Sequence, residues 1–356
     1  MTAAQPQDRE RNVSTDVLRG LAIVLVVFGH ACRGVIEKAG GASVDGLSNL
    51  DFALYTTHMP AFFVIAGYYT ERSLRSRSAP AYLASRFWDV VYPYVLWSIL
   101  YWIIHLIIGR FTHINHPITA SDVLNIWWDP IHVLWFLYAL MAIQIVAVSL
   151  RQRPELFLGG SFVVLAAMTF SPYRPVAEIV AVIVRFCPFF AVGYWLSRRN
   201  APLIYPVLGS PLVLTLLTGL FAIGCWLALR WGIRTPVGLY TLPLSALGVA
   251  LLMGLAQAIT TLRRVARHLA WIGVSSMAIY LLHVVVLALA PRALALLGLS
   301  SAPALIAVGS LVGVYGSLAA FEILKRLRLA GLMALTGGRP VAAKQGPMAP
   351  APGEVR

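Results

Sequence analysis

Charge is scarce in this sequence. Only 12% of its 356 residues are Asp, Glu, Lys or Arg, against about a quarter in a typical soluble domain. Acidic residues are the scarcer kind, 14 against 28 basic ones. Cysteine occurs three times, at Cys32, Cys187 and Cys225, without metal-ligand spacing. That argues against a disulfide framework and against a zinc site. There is no GxxxxGK loop followed by Ser or Thr, no GxSxG elbow and no HExxH, so a nucleotide-driven pump is not expected. No convincing internal repeat of the kind that marks many transporters is visible either.

What the chain does have is apolar residues, 59% of the total, with a mean hydropathy of +0.77. They fall in blocks of about 20, the length a helix needs to cross ~30 Å of hydrocarbon. The fold expected is all-α, a polytopic transmembrane helix bundle. Ten spans are read at 16–37, 51–70, 87–109, 132–149, 156–171, 176–197, 211–230, 238–259, 271–297 and 302–324. Three regions follow: a cytoplasmic segment 1–14, a transmembrane domain 15–329, and a Gly-, Pro- and Ala-rich tail 330–356 expected to be disordered. The polar N-terminus leads straight into a full span, so no cleavable signal peptide is expected.

The net charge of +14 could suggest nucleic acid, but its distribution argues otherwise. With the N-terminus cytoplasmic, nineteen basic residues fall on inside segments and seven on outside segments and their margins. That bias puts both termini inside and accounts for the basic character without a polyanion partner.

The segment "STDVLRGLAIVLVVFGHACRG", 14–34, carries Arg19 and His30 within an apolar run. Eleven residues of α-helix turn the chain about 1100°, so the two share a face about 16 Å apart along the axis. Asp16 and Arg33 extend the same stripe by a turn at each end. Such a stripe faces protein or water, not lipid. A purely structural reading would be an edge ion pair of Asp16 with Arg19 plus a buried histidine. His58, on the next span, is expected at nearly the depth of His30, beside the helix-distorting Pro60. Two imidazoles at one depth on adjacent antiparallel helices could share a site, and His58 could equally be a structural donor.

Other polar residues carry weaker signals. Arg185 needs an anionic partner, for which Glu178 is available, and Arg86 with Asp89 reads as an ion pair. His283 lies near the middle of the ninth span. His113 and His116 have metal-compatible spacing in a loop but no evident third ligand, so no metal site is assigned. Trp127, Trp128 and Trp135 read as interfacial aromatics. Histidine with arginines in a water-accessible membrane cavity suits activation of a hydroxyl by a general base, arginine holding an anionic group.

The ordered motifs resemble the acyltransferase-3 family of membrane acyltransferases from about Thr15 to Leu324. "TDVLRGLAIVLVVFGH" resembles that family's opening Asp-x-x-Arg-Gly-to-His signature, and "HMPAFFVIAGY" its second-helix pattern. "RFWDVVYPYVLWS", "LWFLYAL", "FCPFFAVGYWLSRR" and "SMAIYLLH" follow in order. The His-Met-Pro and Tyr-Pro-Tyr elements lean toward the fucose 4-O-acetylase-like branch. Two positions depart from the pattern: Asp89 stands where a second arginine is common, and Ala66 where a small hydroxyl residue is. The first departure puts a two-arginine clamp on CoA in question.

The resemblance implies a membrane O-acyltransferase in the bacterial cytoplasmic (inner) membrane. It would move an acyl group, usually acetyl from acetyl-CoA, to a hydroxyl of a cell-surface, lipid-linked or exported glycan. Its partners would be acyl-CoA, the glycan acceptor and membrane lipid, with no nucleic acid and no permanently bound cofactor. Arg19, His30 and His58 would be catalytic, and Arg19 and Arg86 would hold the donor. Direct transfer with His30 as base and an acyl-histidine relay are both compatible. Rival readings are a transporter or flippase for a lipid-linked sugar, an acyltransferase acting on proteins, and a non-catalytic sensor.

Overall fold

A computed structural model describes residues 13–38, 45–109, 118–173, 177–296 and 301–336. His113, His116, Arg174, most of the N-terminal segment and the tail from 337 lie outside the described residues. Every regular element among the described residues is a helix. The long ones are α1 (Val13–Lys38), α2 (Asp45–Arg75), α6 (Trp135–Ser149), α7 (Pro154–Phe170), α8 (Glu178–Arg198), α9 (Pro211–Arg230) and α10 (Leu242–Ile259). The short α3 (Ala79–Arg86) runs through a π-turn into α4 (Tyr92–Gly109), and α5 (Ala120–Leu124) follows. Last come α11 (Arg263–Val274), α12 (Ser276–Leu296) and the pair α13 (Ala302–Leu311) and α14 (Ser317–Arg326).

Among the described residues helix occupies most of each of the ten expected positions, but seven helices are long and apolar enough to cross a membrane, eight if a bent pair counts as one. α7 has only 17 residues. α2 falls short on composition, because the residues it buries include Thr56, Thr57, His58, Thr70 and Glu71. The expected ninth span, 271–297, is not a single rod. The chain breaks at Ser275, bending α11 from α12 by 76°. The reason is legible in α11, whose Arg263, Arg264 and Arg267 are exposed while Ala266, Ile272 and Gly273 are buried. Such a pattern suits a helix at a boundary between apolar and polar surroundings.

α2 is the hub, packed against α1, α6, α8 and α10. Its crossing with α8 is set by two glycines. A Cβ on Gly67 would stand 2.0 Å from the Phe190 carbonyl oxygen, and one on Gly193 equally close to that of Val64. α1 and α11 cross in the same way, with Gly20 against Leu269 and Gly273 against Asp16. Close backbone approach through small residues is the usual means of joining helices where lipid supplies no hydrophobic driving force between them.

At the arginine-rich end, Glu71 ties α2 to α8. Its carboxylate, 1% exposed, meets Arg75 at 2.7 Å and Arg198 at 3.4 Å, and Ser197 Oγ donates to it at 3.0 Å. A buried carboxylate is tolerable only when paired in this manner. Residues 330–336, assigned above to the tail, pack back on the helix after α3. Tyr92 Oη donates to the Leu332 carbonyl at 2.6 Å and Trp97 Nε1 to that of Met333 at 2.8 Å.

At the other end, the 118–134 segment carries α5. Thr119 caps it, and hydrogen bonds from Thr119 hold the Asp122 carboxyl below its ordinary range.

Candidate active site

The helices leave a cavity of about 130 Å³ between α1, α2, the start of α6 and α12. His30 and Arg33 line it from α1, Tyr55 and His58 from α2, Trp135 from α6 and Tyr280 from α12. Its volume is close to the ~150 Å³ of a cavity that takes up a benzene ring, enough for reacting groups.

His30 and His58 are thus in one cavity, as their matched depths suggested. His283 joins them. Its ring meets that of His30 edge-on, with centroids 5.0 Å apart and planes at 63°. His283 Nδ1 lies 3.0 Å from the Ile279 carbonyl oxygen and 2.8 Å from that of Tyr280. Both partners only accept, so Nδ1 carries the proton and Nε2 presents a lone pair. That Nε2 is buried and has no hydrogen-bond partner among the described residues. The Nδ1 of His58 is likewise buried without a partner of good geometry, and Tyr55 closes on the His58 ring edge-on at 5.6 Å.

The cavity's fixed charge is Arg33. Its Nε donates to Asp51 Oδ2 at 3.0 Å, and its guanidinium lies over the Tyr55 ring at 5.0 Å. Two features fix the opposite wall. His132 adopts a left-handed backbone, φ 45°, an uncommon state for a residue with a side chain. The turn that follows offers the Val133 carbonyl to the Tyr280 hydroxyl. Trp135, read from sequence as an interfacial aromatic, is instead a wall residue stacked on Phe186 at 5.3 Å. Trp127 and Trp128 are exposed, at 59% and 56%.

Arg19 and Arg86 stand outside this cavity. Its α1 wall starts at Ile23, one turn above Arg19. Arg19 is held by Asp16 at 3.4 Å and lies over the Tyr69 ring at 4.9 Å. Arg86 pairs with Asp89 and lies over Tyr82 at 5.2 Å. Arg185 finds Glu178 at 2.9 Å.

Sequence reasoning passed over Asp51, Tyr55 and Tyr280 and left His283 among the weaker candidates, read as structural ahead of functional. For His283 a signal existed, an ionisable residue in the middle of an apolar span. For the tyrosines there was none, since an aromatic in a span is most often packing.

Chemically, the cavity offers imidazoles in different hydrogen-bonding states beside a guanidinium, in surroundings that are otherwise aromatic and aliphatic. That set can move a proton and stabilise developing negative charge.

Comparison with known proteins gives the arrangement a family. No solved structure matches the chain. Two curated relatives do: the Nodulation protein NolL of Sinorhizobium fredii (strain NBRC 101917 / NGR234), 25% identical over 228 residues, and the Nodulation protein NolL of Mesorhizobium japonicum (strain LMG 29417 / CECT 9101 / MAFF 303099), 22% identical over 191. The matches cover 62% and 53% of this chain, and 58% and 48% of those proteins. The chain therefore spans about half the length of the curated relatives it matches. The family described as Acyltransferase domain (Acyl_transf_3) matches residues 12–322, and with nearly the whole helical bundle inside that match the chain belongs to this acyltransferase family.

Proposed function

We propose that the protein is an integral membrane O-acyltransferase that moves an acyl group, acetyl in the first instance, from acyl-CoA to a hydroxyl of a glycan. The observation that carries this reading is the meeting of His30, His58 and Arg33 at one cavity, with His283 packed against His30, in a chain of an acyltransferase family. The long apolar helices form the membrane domain with both termini cytoplasmic, in the bacterial inner membrane. Donor then arrives from the arginine-rich side and acceptor from the other.

In the proposed reaction the acceptor hydroxyl gives its proton to His30 while its oxygen attacks the thioester carbonyl. The carbon–sulfur bond breaks, and the CoA thiolate takes the proton back from the imidazolium, so nothing is left over. An acyl-histidine relay satisfies the same balance in two steps. His283, its own proton committed to backbone carbonyls, supplies a lone pair beside His30 and acts as a positioning residue. His58 orients the acceptor. Arg33 stabilises charge on the thioester oxygen. Arg19 and Arg86, outside the cavity at the arginine-rich side, hold the donor's phosphates, for which guanidinium is suited.

The test is incubation of the purified protein in lipid nanodiscs with radiolabelled acetyl-CoA and a glycan fraction from the source cells. An acyltransferase releases CoA and labels glycan. A carrier does neither, and label on protein would point to the other acyltransferase class.

A further inference from the structure

A second opening lies between the C-terminal half of α7, the start of α8 and the loop joining α9 to α10. It is a cleft of about 570 Å³, within the ~300–1,000 Å³ typical of small-molecule sites. Glu178, Arg185, Arg234, Thr235, Tyr240 and Thr241 are among its lining residues. Nothing in the acyl-transfer scheme above uses it.

Its chemistry favours a neutral, hydroxyl-rich ligand. Arg185 Nη1 donates to Glu178 Oε1 at 2.9 Å. Among the described residues the other Glu178 oxygen and the remaining Arg185 donors make no hydrogen bond. A carboxylate and a guanidinium side by side can accept from one hydroxyl and donate to its neighbour, which is how vicinal diols are read. Tyr240 adds an aromatic face, 65% exposed, for the apolar side of a ring. Phosphate is disfavoured, because Glu178 offsets Arg185, and Arg234 already donates to Asn49 at 3.1 Å.

The cleft and the histidine cavity approach each other along α8. Arg185 lines the cleft, and the ring of its neighbour Phe186 lies 6.5 Å from that of Tyr55, which lines the cavity. The next residue, Phe186, stacks on the wall residue Trp135. One stretch of α8 therefore runs between a polar cleft and the smaller histidine cavity. We propose that this cleft holds the body of the carbohydrate acceptor, with Arg185, Glu178 and Tyr240 as its binding residues, while only the reacting hydroxyl reaches His30. The proposal rests on the acyltransferase reading.

The experiment measures CoA release by the nanodisc-embedded enzyme with acetyl-CoA and the methyl glycosides of glucose, galactose, mannose, fucose and N-acetylglucosamine. Tyr240→Ala and Arg185→Gln are compared with the natural sequence on the best glycoside. The proposal expects each variant to raise the acceptor KM at least about tenfold, the loss of one or two good polar contacts, with the acetyl-CoA KM within about twofold. Tyr240 is exposed enough that its truncation leaves folding intact, and Tyr240→Phe should keep most of the affinity. An unchanged acceptor KM, or a parallel rise in the acetyl-CoA KM, overturns the cleft assignment and leaves the enzyme reading standing. Absence of glycoside-dependent CoA release by the natural sequence overturns both.

Discussion

His283 touches His30 edge-on at 5.0 Å between ring centroids, although the two lie at opposite ends of the chain. α12 carries the first and α1 the second, and the Ile279 and Tyr280 carbonyls fix which nitrogen of His283 holds the proton. The proposed base therefore packs against an imidazole whose proton is committed to backbone carbonyls.

His283→Ala should lower kcat by about 10–100-fold, the penalty for a misplaced reacting group. Acetyl-CoA KM should stay within about twofold, and the pH profile of kcat should move. A kcat loss without any change in the profile would reduce His283 to packing. Rescue by Asn, which also offers a donor and an acceptor, would support the positioning role.

Arg19 sits outside the cavity and is engaged by Asp16 and Tyr69. Arg19→Ala is accordingly expected to weaken acetyl-CoA binding by about tenfold or more, the scale of a lost charge-assisted contact, with less effect on kcat. Calorimetry on the purified variant decides; an unchanged dissociation constant removes Arg19 from the donor site.

The glycine crossing makes a prediction about stability alone. Gly67→Ala forces a Cβ toward the Phe190 carbonyl, which it would meet at 2.0 Å, and α2 and α8 must separate. The cost expected is at least the ~1–3 kcal/mol of an overpacked core. It should appear as a lower melting temperature and less monodisperse protein in detergent. Gly159, where a Cβ meets nothing within 4 Å, serves as the control.

Glu71 offers a second stability test. Glu71→Ala leaves Arg75 and Arg198 without their shared carboxylate, and loss of one partner of a buried pair costs about 3–5 kcal/mol. Arg75 and Arg198 are themselves partly exposed, 37% and 46%, so the observed loss should sit at or below the lower figure. A variant as stable to heating as the natural sequence would contradict the role given to this cluster.

Among the described residues helix covers most of each expected segment, although seven helices, or eight, are long and apolar enough to cross. Much of this helical framework was legible because hydrophobic block length maps onto helix length. The bend at Ser275 was not, because the amphipathic pattern of Arg263–Val274 reads as a loop when only mean hydropathy is followed. In the site, the i to i+11 spacing put Arg19 and His30 on one face, and equal depth put His30 with His58. What spacing could not supply was which distant helix turns which face inward. His283, Asp51 and Tyr280 entered through helix packing. The reach of the cavity, which stops at Ile23 and leaves Arg19 below it, depended on side-chain volumes from four elements.

The most direct test of the account is the rate of acetyl-CoA-dependent glycan labelling by His30→Ala in nanodiscs, measured beside acetyl-CoA binding to the same preparation. The account predicts folded protein that binds acetyl-CoA normally and transfers acetyl at least about 100-fold more slowly, the smallest contribution usual for a general base. A variant that binds donor and labels glycan at a near-normal rate would contradict it.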